Sequence, residues 1–219
     1  MADRKPGTGA ASRTASRVRG QAGMANKIAT GYLRWRVTLM IELRGKKVVL
    51  RTMERAHCRF LWENYEPVEP VPTEPVRPGL SVEGSEKWFE EIQEKQEKSQ
   101  IYLGIFDDEG NIVGDIQLSG IDWRNRTASL GAGIALKKDR GKGYCTDAAV
   151  VMLRYGFEHL DLQRISAATM ANNASAIRVL EKVGFVQEGR EREAVYWSNQ
   201  RWDRIVFGIL KPEFEAIQS

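Results

Sequence analysis

The sequence predicts one α/β (α+β) domain with a mixed, mostly antiparallel central sheet flanked by helices. Strand patterns at residues 101–106 and 112–118 are joined by Asp107-Asp108-Glu109-Gly110-Asn111, a strong hairpin turn. Strand and helix patterns then alternate up to Gly184, and a second hairpin follows across residues 198–200. Two hairpins in one chain exclude a doubly wound parallel sheet, in which helices connect the strands.

The elements before the first hairpin are short and include a proline-rich segment. In chain order they are a strand pair or bent strand at 42–53, a short helix at 54–64, a loop at 65–79 and a helix at 86–98. The loop is predicted because its residues include five of the seven prolines. Ser81 or Ser85 is the predicted cap of the helix that follows.

The elements after the first hairpin include the strand and helix that we expect to form the site. In chain order they are a turn at 121–126, a strand at 128–136, a helix at 146–160, a strand at 165–170, a helix at 173–183 and hairpin strands at 185–197 and 201–210. Gly131 and Gly133 suit a β-bulge or a close backbone approach in the strand at 128–136.

Composition and cysteine usage exclude several classes of protein. Apolar residues make up 42% of the chain, enough for a sizeable core, and no long uncharged apolar run is typical of a transmembrane span. Cys58 and Cys145 lie far apart, and His57 and His159 form no metal-ligand pattern with them. We therefore expect no disulfide framework, no metal and no membrane partner, and a reducing compartment such as the cytoplasm.

Positive charge is concentrated at the amino terminus. The first 40 residues contain eight basic side chains and one acid, so the net formal charge of +4 becomes −3 for residues 41–219. Because only the tail is basic, no nucleic-acid partner is expected. We predict a basic extension over residues 1–39 and a single domain over residues 40–219. The extension reads as a disordered tail, a translated upstream stretch before a start at Met40, or a transit-like peptide.

A glycine-rich basic turn between a strand and a helix predicts an anion site. Gly141 and Gly143 are accompanied by four basic residues, Lys137, Lys138, Arg140 and Lys142. Glycine permits positive φ, and a helix amino terminus presents unpaired N–H groups to a phosphate. Thr146 stands where the dinucleotide fingerprint needs Gly or Ala, and no Gly-Lys-Ser/Thr sequence occurs, so those nucleotide motifs are excluded. A plain helix start with solvated lysines stays open as the alternative.

A second cluster follows the next predicted strand. It reads Asn172-Asn173-Ala174-Ser175 and continues to Glu181-Lys182-Val183-Gly184-Phe185. Singly, these residues have structural interpretations, because Asn and Ser are favoured helix caps and Gly184 is a helix-stop residue. The two clusters in this order are more specific than either alone.

Together the clusters resemble the GNAT superfamily of acetyl-coenzyme A-dependent N-acetyltransferases. That family's pyrophosphate loop, Gln/Arg-x-x-Gly-x-Gly/Ala, reads here as Lys138-Asp139-Arg140-Gly141-Lys142-Gly143, with Lys at the first position. The second cluster is similar to the N-x-x-S…EK-x-GF signature of the RimJ/RimL-like branch, which includes ribosomal-protein N-terminal acetyltransferases. Glu188-Gly189 and Trp202-Asp203 also match that branch, so the resemblance spans roughly residues 41–212.

The resemblance implies an acetyl-CoA cleft between a splayed pair of strands. In the family, the pantetheine arm pairs with the strand before the loop, and amides near Ile134 or Leu136 stabilise the oxyanion. The amides of residues 140–144 hold the pyrophosphate, and Asn172 bonds the pantetheine or positions the amine. The implied cofactor-binding residues are Ile134, Leu136, Lys138, Arg140, Gly141, Lys142, Gly143, Tyr144, Asn172 and Ser175.

The resemblance defines the acid and the base less closely. Direct transfer needs a base for the ammonium proton and an acid for the departing thiolate. Leu180 stands where many family members carry a catalytic Tyr, so Ser175 is the implied acid, with a helix-turn hydroxyl as its structural alternative. The Glu of RimL-like relatives falls on Val195, which leaves Glu193, on the same face if the strand is regular, or Asp115.

We therefore predict an acetyl-CoA-dependent N-acetyltransferase of RimJ/RimL type that needs no metal. Its acceptor is a primary amine, such as a protein N-terminus, and it acts as a monomer or homodimer. Two alternatives stay open: an acetyltransferase for polyamines or other small amines, and a non-catalytic CoA-binding sensor.

Overall fold

The structure, a computed structural model, describes residues 41–66, 81–197 and 199–218. Its strands are β1 (Glu42–Arg44), β2 (Val49–Arg51), β3 (Gln100–Phe106), β4 (Ile112–Asp122), β5 (Thr127–Ile134), β6 (Arg164–Met170), β7 (Val186–Trp197) and β8 (Gln200–Leu210). They form one sheet in the order β1-β2-β3-β4-β5-β6-β8-β7. Only β5 and β6 pair in parallel, which confirms the predicted mixed, mostly antiparallel sheet.

Helices cover this sheet. They are α1 (Arg55–Asn64), α2 (Gly84–Lys95), α3 (Tyr144–Arg154), α4 (Ala174–Lys182) and α5 (Lys211–Gln218). In the described ranges no helix is long and apolar enough to cross a membrane. The predicted extension over residues 1–39 and most of the predicted loop over residues 65–79 lie outside the described residues.

Alternating side chains divide the apolar residues between two clusters. In β3, Leu103 and Ile105 join the main core with α3, α4 and α5, whereas Tyr102 joins a second cluster with α1 and α2. This is the period of two that a strand requires when both faces of its sheet are covered. The second cluster matters for function because Asp115 of β4, whose hydroxyl partner is Tyr102, faces the same side.

Several predicted boundaries and caps were wrong. Glu83 precedes α2 as its cap, while Ser85 lies inside the helix and donates to the carbonyl of Val82 at 2.7 Å. No bulge occurs at Gly131 or Gly133, because the β4–β5 register shifts only between Ser119 and Asp122, but the alternative prediction, a close approach, holds at Gly133, where Tyr65 packs against the backbone. The helix predicted from residue 146 to 160 is α3, beginning at Tyr144, followed by a π-helical turn over Tyr155–His159. Helix α5 was not predicted from the sequence.

Candidate functional site

An opening between two neighbouring strands is the centre of the candidate site. β5 and β6 pair only through Thr127–Arg164, Ala128–Ile165 and Ser129–Ser166. Residues 130–134 of β5 stay paired with β4, and the rest of β6 stays paired with β8. The two strands therefore separate toward their carboxyl ends and leave the predicted cleft within the sheet.

Backbone N–H groups of β5 point into this cleft. Ala135 donates its N–H to the carbonyl oxygen of Val113, next to Gly114 of β4, at 2.9 Å. Because N–H groups alternate sides along an antiparallel ladder, the amides of Ala132 and Ile134 point away from β4 and into the cleft. Leu136, the other residue predicted to supply such an amide, lies just beyond β5 and caps the 3₁₀ turn Lys137–Asp139.

The loop between β5 and α3 presents free backbone donors. Gly141 and Gly143 have φ of 78° and 87°, in the left-handed region that favours glycine. Within the described part of the chain, the amides from Gly141 to Thr146 donate no hydrogen bond; the next amide, of Asp147, donates to the carbonyl of Gly143 at 3.0 Å. Free amides at the amino terminus of an 11-residue helix suit phosphate oxygens.

Arg140, one of the predicted cofactor-binding residues, stabilises the loop. Its amide donates to the carbonyl of Lys137 at 3.2 Å, so this donor is already used. Its guanidinium donates to the carbonyls of Ile134 at 3.2 Å and Ala135 at 3.0 Å, and also to that of Glu66. The side chain therefore fastens the loop to the end of β5.

Lysines line the outer side of the loop. The ammonium of Lys142 binds Asp139 at 2.8 Å, and that of Lys47 donates to the carbonyl of Lys142 at 2.8 Å, while Lys138 is exposed. A cavity of about 350 Å³ beside the loop is lined by Lys46, Lys47, Asp108, Lys142 and Tyr144. Three lysines in five lining residues favour a ligand that carries phosphate.

Asp147 joins the turn between β1 and β2 to this loop. Its carboxylate accepts hydrogen bonds from the backbone amides of Lys46 at 3.1 Å, Lys47 at 2.7 Å and Val48 at 3.1 Å. The contacts join residues about 100 positions apart. Lys46 and Lys47 were not predicted as site residues, because no local sequence pattern indicates so distant a contact.

At the other side of the cleft, Asn172 lies between β6 and α4. Its side-chain Oδ1 and Nδ2 are buried and have no hydrogen-bond partner among the described residues. A buried amide without partners costs free energy, so a ligand that fills both its donor and acceptor stabilises the site.

Asn173 and Ser175 have local structural contacts instead. Asn173 caps α4 by accepting a hydrogen bond from the amide of Ala176 at 3.1 Å. Ser175 is exposed and donates its hydroxyl to Oδ1 of Asn173 at 2.8 Å. The geometry of Ser175 is that of a helix-turn hydroxyl, which was its structural alternative.

Asp115 lies beside the open edge of β5. It pairs in register with Gly133, and its carboxyl accepts a hydrogen bond from the hydroxyl of Tyr102 at 2.8 Å. Burial raises the pKa of Asp115 to about 6, and the bond from Tyr102 partly opposes that rise. A carboxyl group that titrates near neutral pH next to a cleft is typical of a general base.

Glu193 lies elsewhere, on the far side of β8 from β6. The prediction that Glu193 shares a strand face with Val195 requires a regular strand. β7 is not regular there, because the β7–β8 register shifts between Glu191 and Val195. Glu193 has a φ of 54° in this bulge and donates its amide to Asp203 at 2.8 Å. Its exposed side chain forms no hydrogen bond or ion pair with Asp115 among the described contacts.

Comparisons with known proteins agree with this geometry. A family model described as an acetyltransferase (GNAT) domain matches residues 47–186. "Probable N-acetyltransferase YjcK" of Bacillus subtilis (strain 168) is 33% identical over 180 residues, which cover 79% of this chain and 99% of that protein. A solved structure titled "Crystal structure of Probable acetyltransferase" has a TM-score of 0.70 and 26% identity, covering 79% of this chain and 98% of that one.

Two further relatives are named for their acceptors. Spermidine N(1)-acetyltransferase of Vibrio cholerae is 27% identical over 139 residues, 58% of this chain and 80% of that protein. Ribosomal protein uS5-alanine N-acetyltransferase of Escherichia coli is 29% identical over 118 residues, 53% of this chain and 60% of that protein. The match to YdaF of B. subtilis, 35% identical over 108 residues, likewise spans 49% of this chain and only 58% of that protein.

The family model covers more than half of the chain, and its range includes β5, the loop and α4, which surround the cleft. Relatives matched over almost their whole length agree with it. The chain therefore belongs to the GNAT acetyltransferase family.

Proposed function

We propose that this protein transfers acetyl from acetyl-CoA directly to a primary amine, with a protein N-terminus as the acceptor. The observation that carries the proposal is the carboxyl group of Asp115, which has a pKa of about 6 and is paired in register with Gly133 at the open edge of β5. Such a group accepts a proton at neutral pH, which is what acetylation of an ammonium group requires.

The residues around the cleft fit coenzyme A. The free amides from Gly141 to Thr146 donate to the pyrophosphate, and those of Ala132 and Ile134 face the pantetheine arm and its thioester. The buried, unpartnered side chain of Asn172 offers a donor and an acceptor to the same arm. When bound, acetyl-CoA supplies the thioester.

Asp115 removes the proton that blocks the amine. Above pH 6 its carboxyl group is mostly ionised, so it takes a proton from the ammonium and frees the nitrogen lone pair for attack. The amide of Ile134 stabilises the oxyanion that forms on the thioester carbonyl. Glu193 and Ser175 have no part in this scheme, because their contacts hold them in local structure.

Both acceptor classes have support among the relatives. The uS5-alanine N-acetyltransferase supports a protein N-terminus, and the spermidine N(1)-acetyltransferase supports the second candidate, a polyamine. We place the protein N-terminus first because the relative named "Putative ribosomal N-acetyltransferase YdaF" is 35% identical over 108 residues, against 27% for the spermidine N(1)-acetyltransferase.

Thiol release from acetyl-CoA tests the proposal. The full-length protein is assayed with N-terminal peptides, including one beginning with alanine, with spermidine and spermine, and with aminoglycosides. Asp115→Asn serves as the matched control, because an amide keeps the acceptor for Tyr102 but cannot take a proton. We expect turnover with peptides that falls by about 100-fold in Asp115→Asn.

Three other outcomes would each contradict one element of the proposal. Turnover with polyamines alone shows that the acceptor is a polyamine and not a protein N-terminus. Binding of coenzyme A by calorimetry without turnover on any amine favours a sensor. Absence of binding at millimolar coenzyme A contradicts the cofactor itself.

A further inference from the structure

The segment that follows α1 is fastened to the end of β5. The amide of Glu66 donates to the carbonyl of Ala135 at 3.0 Å, and the Glu66 carboxylate accepts from the amide of Lys137 at 2.5 Å. Arg140 adds a contact to the carbonyl of Glu66. These bonds fix the neighbouring residue, Tyr65, against the cleft.

The hydroxyl of Tyr65 lies directly over Gly133. A methyl group at Gly133 would overlap that hydroxyl, so only glycine leaves room for it. Gly133 lies between Ala132 and Ile134, whose amides point into the cleft. The phenol therefore meets β5 at the residues where we place the reacting thioester.

Charged groups surround this hydroxyl. The charge of Asp115 raises the pKa of Tyr65, and the charge of Arg140 lowers it. Burial is the largest effect, and it raises the pKa of Tyr65 above its usual value. The hydroxyl therefore keeps its proton at every working pH and acts as a donor.

The reaction also lacks a side-chain donor from α4. Leu180 is buried in the main core, and the Ser175 hydroxyl donates to Asn173. Cys145 is no substitute, since burial raises its pKa to about 11 and keeps the thiol neutral and weakly polar.

We propose that the Tyr65 hydroxyl is a catalytic donor that hydrogen-bonds the thioester carbonyl oxygen as it becomes an oxyanion. This rests on the proposed acetyl transfer. The ammonium proton that Asp115 first removes passes to water. The amine lone pair then forms a bond to the carbonyl carbon while the C=O π pair moves to oxygen, and Asp115, ionised again, takes the second proton from nitrogen. The oxyanion then re-forms C=O, the C–S bond breaks with its pair on sulfur, and the proton from Asp115 balances the thiolate. Tyr65 donates a hydrogen bond throughout and loses no proton.

Tyr65→Phe tests this role in the thiol-release assay. We expect kcat to fall about 100-fold, as for loss of one oxyanion donor, with KM for acetyl-CoA and Kd for coenzyme A within about threefold of wild type. The pH midpoint of kcat/KM stays unchanged, because Asp115 sets it. Tyr155→Phe, in the π-helical turn away from β5, is the matched control and should leave kcat within about twofold.

Gly133→Ala gives a second test, and its effect in the wild-type background does not depend on Tyr65→Phe folding. Its methyl group displaces the hydroxyl, so kcat falls in the wild-type background but much less in the Tyr65→Phe background. Full kcat in Tyr65→Phe, equal losses for Gly133→Ala in both backgrounds, or a matching loss of coenzyme A affinity overturns the role of Tyr65. Wild-type protein without turnover on any amine overturns the proposed function, and the Tyr65 proposal with it.

Discussion

The pairing of Tyr102 with Asp115 sets the acidity of the proposed base. Burial raises the pKa of Asp115 to about 6, and the hydrogen bond from Tyr102 lowers it. The profile of kcat/KM against pH should therefore rise with a midpoint near pH 6. Tyr102→Phe removes the lowering effect, so the midpoint moves to higher pH, whereas Tyr155→Phe leaves it in place. Initial rates from about pH 5 to 9 measure this, and an unshifted midpoint in Tyr102→Phe argues against Asp115 as the base.

Asp115 also lowers the free energy of unfolding at neutral pH. Because its pKa rises from 3.8 to about 6 on folding, ionisation costs the folded state free energy as pH increases through that window. At pH 8 the cost is about 3 kcal/mol as an upper bound. Asp115→Asn keeps the bond from Tyr102 without the charge, so we expect a larger free energy of unfolding than wild type at pH 8. The gain should vanish below about pH 3, where both states of the wild type are protonated.

Denaturant titrations at the two pH values measure this difference. A variant that is less stable than wild type at pH 8, or equally stabilised at both pH values, contradicts the buried charge. If Asp115→Asn is more stable at pH 8 and less active, stability and activity move in opposite directions at this residue, as is common in active sites.

Among the elements, the loop before α3 allows a test with a closely matched control, because Gly141 can be compared with Gly110. Gly141 and Gly110 both have positive φ, 78° and 87°, and at both positions the space that a side chain would occupy is open. Replacing either with Asp therefore costs similar backbone strain, but only Gly141→Asp adds a negative charge at the proposed phosphate site. Calorimetry with coenzyme A should show at least a tenfold weaker Kd for Gly141→Asp and no change for Gly110→Asp. Equal affinities in the two variants exclude this loop as the pyrophosphate site.

Local sequence signals predicted most of the elements, and the misses have physical reasons. The hairpin turn at residues 107–111 and Gly184 after α4 act locally, so their elements were found. The π-helical turn at Tyr155–His159 keeps an apolar face toward the core, and its sequence pattern is therefore that of an ordinary helix. α5 was missed although Pro212 in its first turn is a helix-start signal, because the helix has only eight residues.

At the scale of the whole molecule, contacts in the site could be predicted only when the two residues lie close together in the sequence. Tyr102 and Asp115 face one another across the β3–β4 hairpin, a contact that the predicted hairpin alone could have suggested. The contact of Tyr65 with Gly133 joins distant parts of the chain and has no local signal. The cleft itself came from the resemblance, since no periodicity in β5 or β6 indicates where their pairing stops.

The predicted division of the chain can be tested at this scale. The net formal charge of the domain without residues 1–39 is close to −3, and every residue named in the proposed site lies in residues 40–219. Removing residues 1–39 should therefore leave the melting temperature unchanged, and Kd for coenzyme A and kcat within about twofold of the full-length protein. A large loss in any of these shows that the extension contributes to the domain.

The separation of β5 from β6 also has a consequence for solvent exchange. A cleft inside a sheet leaves amides without the partners that normally slow their exchange with water. In the free protein, the amides of Ala132 and Ile134 should exchange quickly, while that of Gly133, directed at β4, exchanges slowly. Coenzyme A should slow the first two and leave the third as it was. Unchanged exchange at Ala132 and Ile134 with ligand bound contradicts a pantetheine arm paired to β5. If the pattern holds, the ligand takes the place of a missing strand, and exchange rates read at single residues trace where it lies.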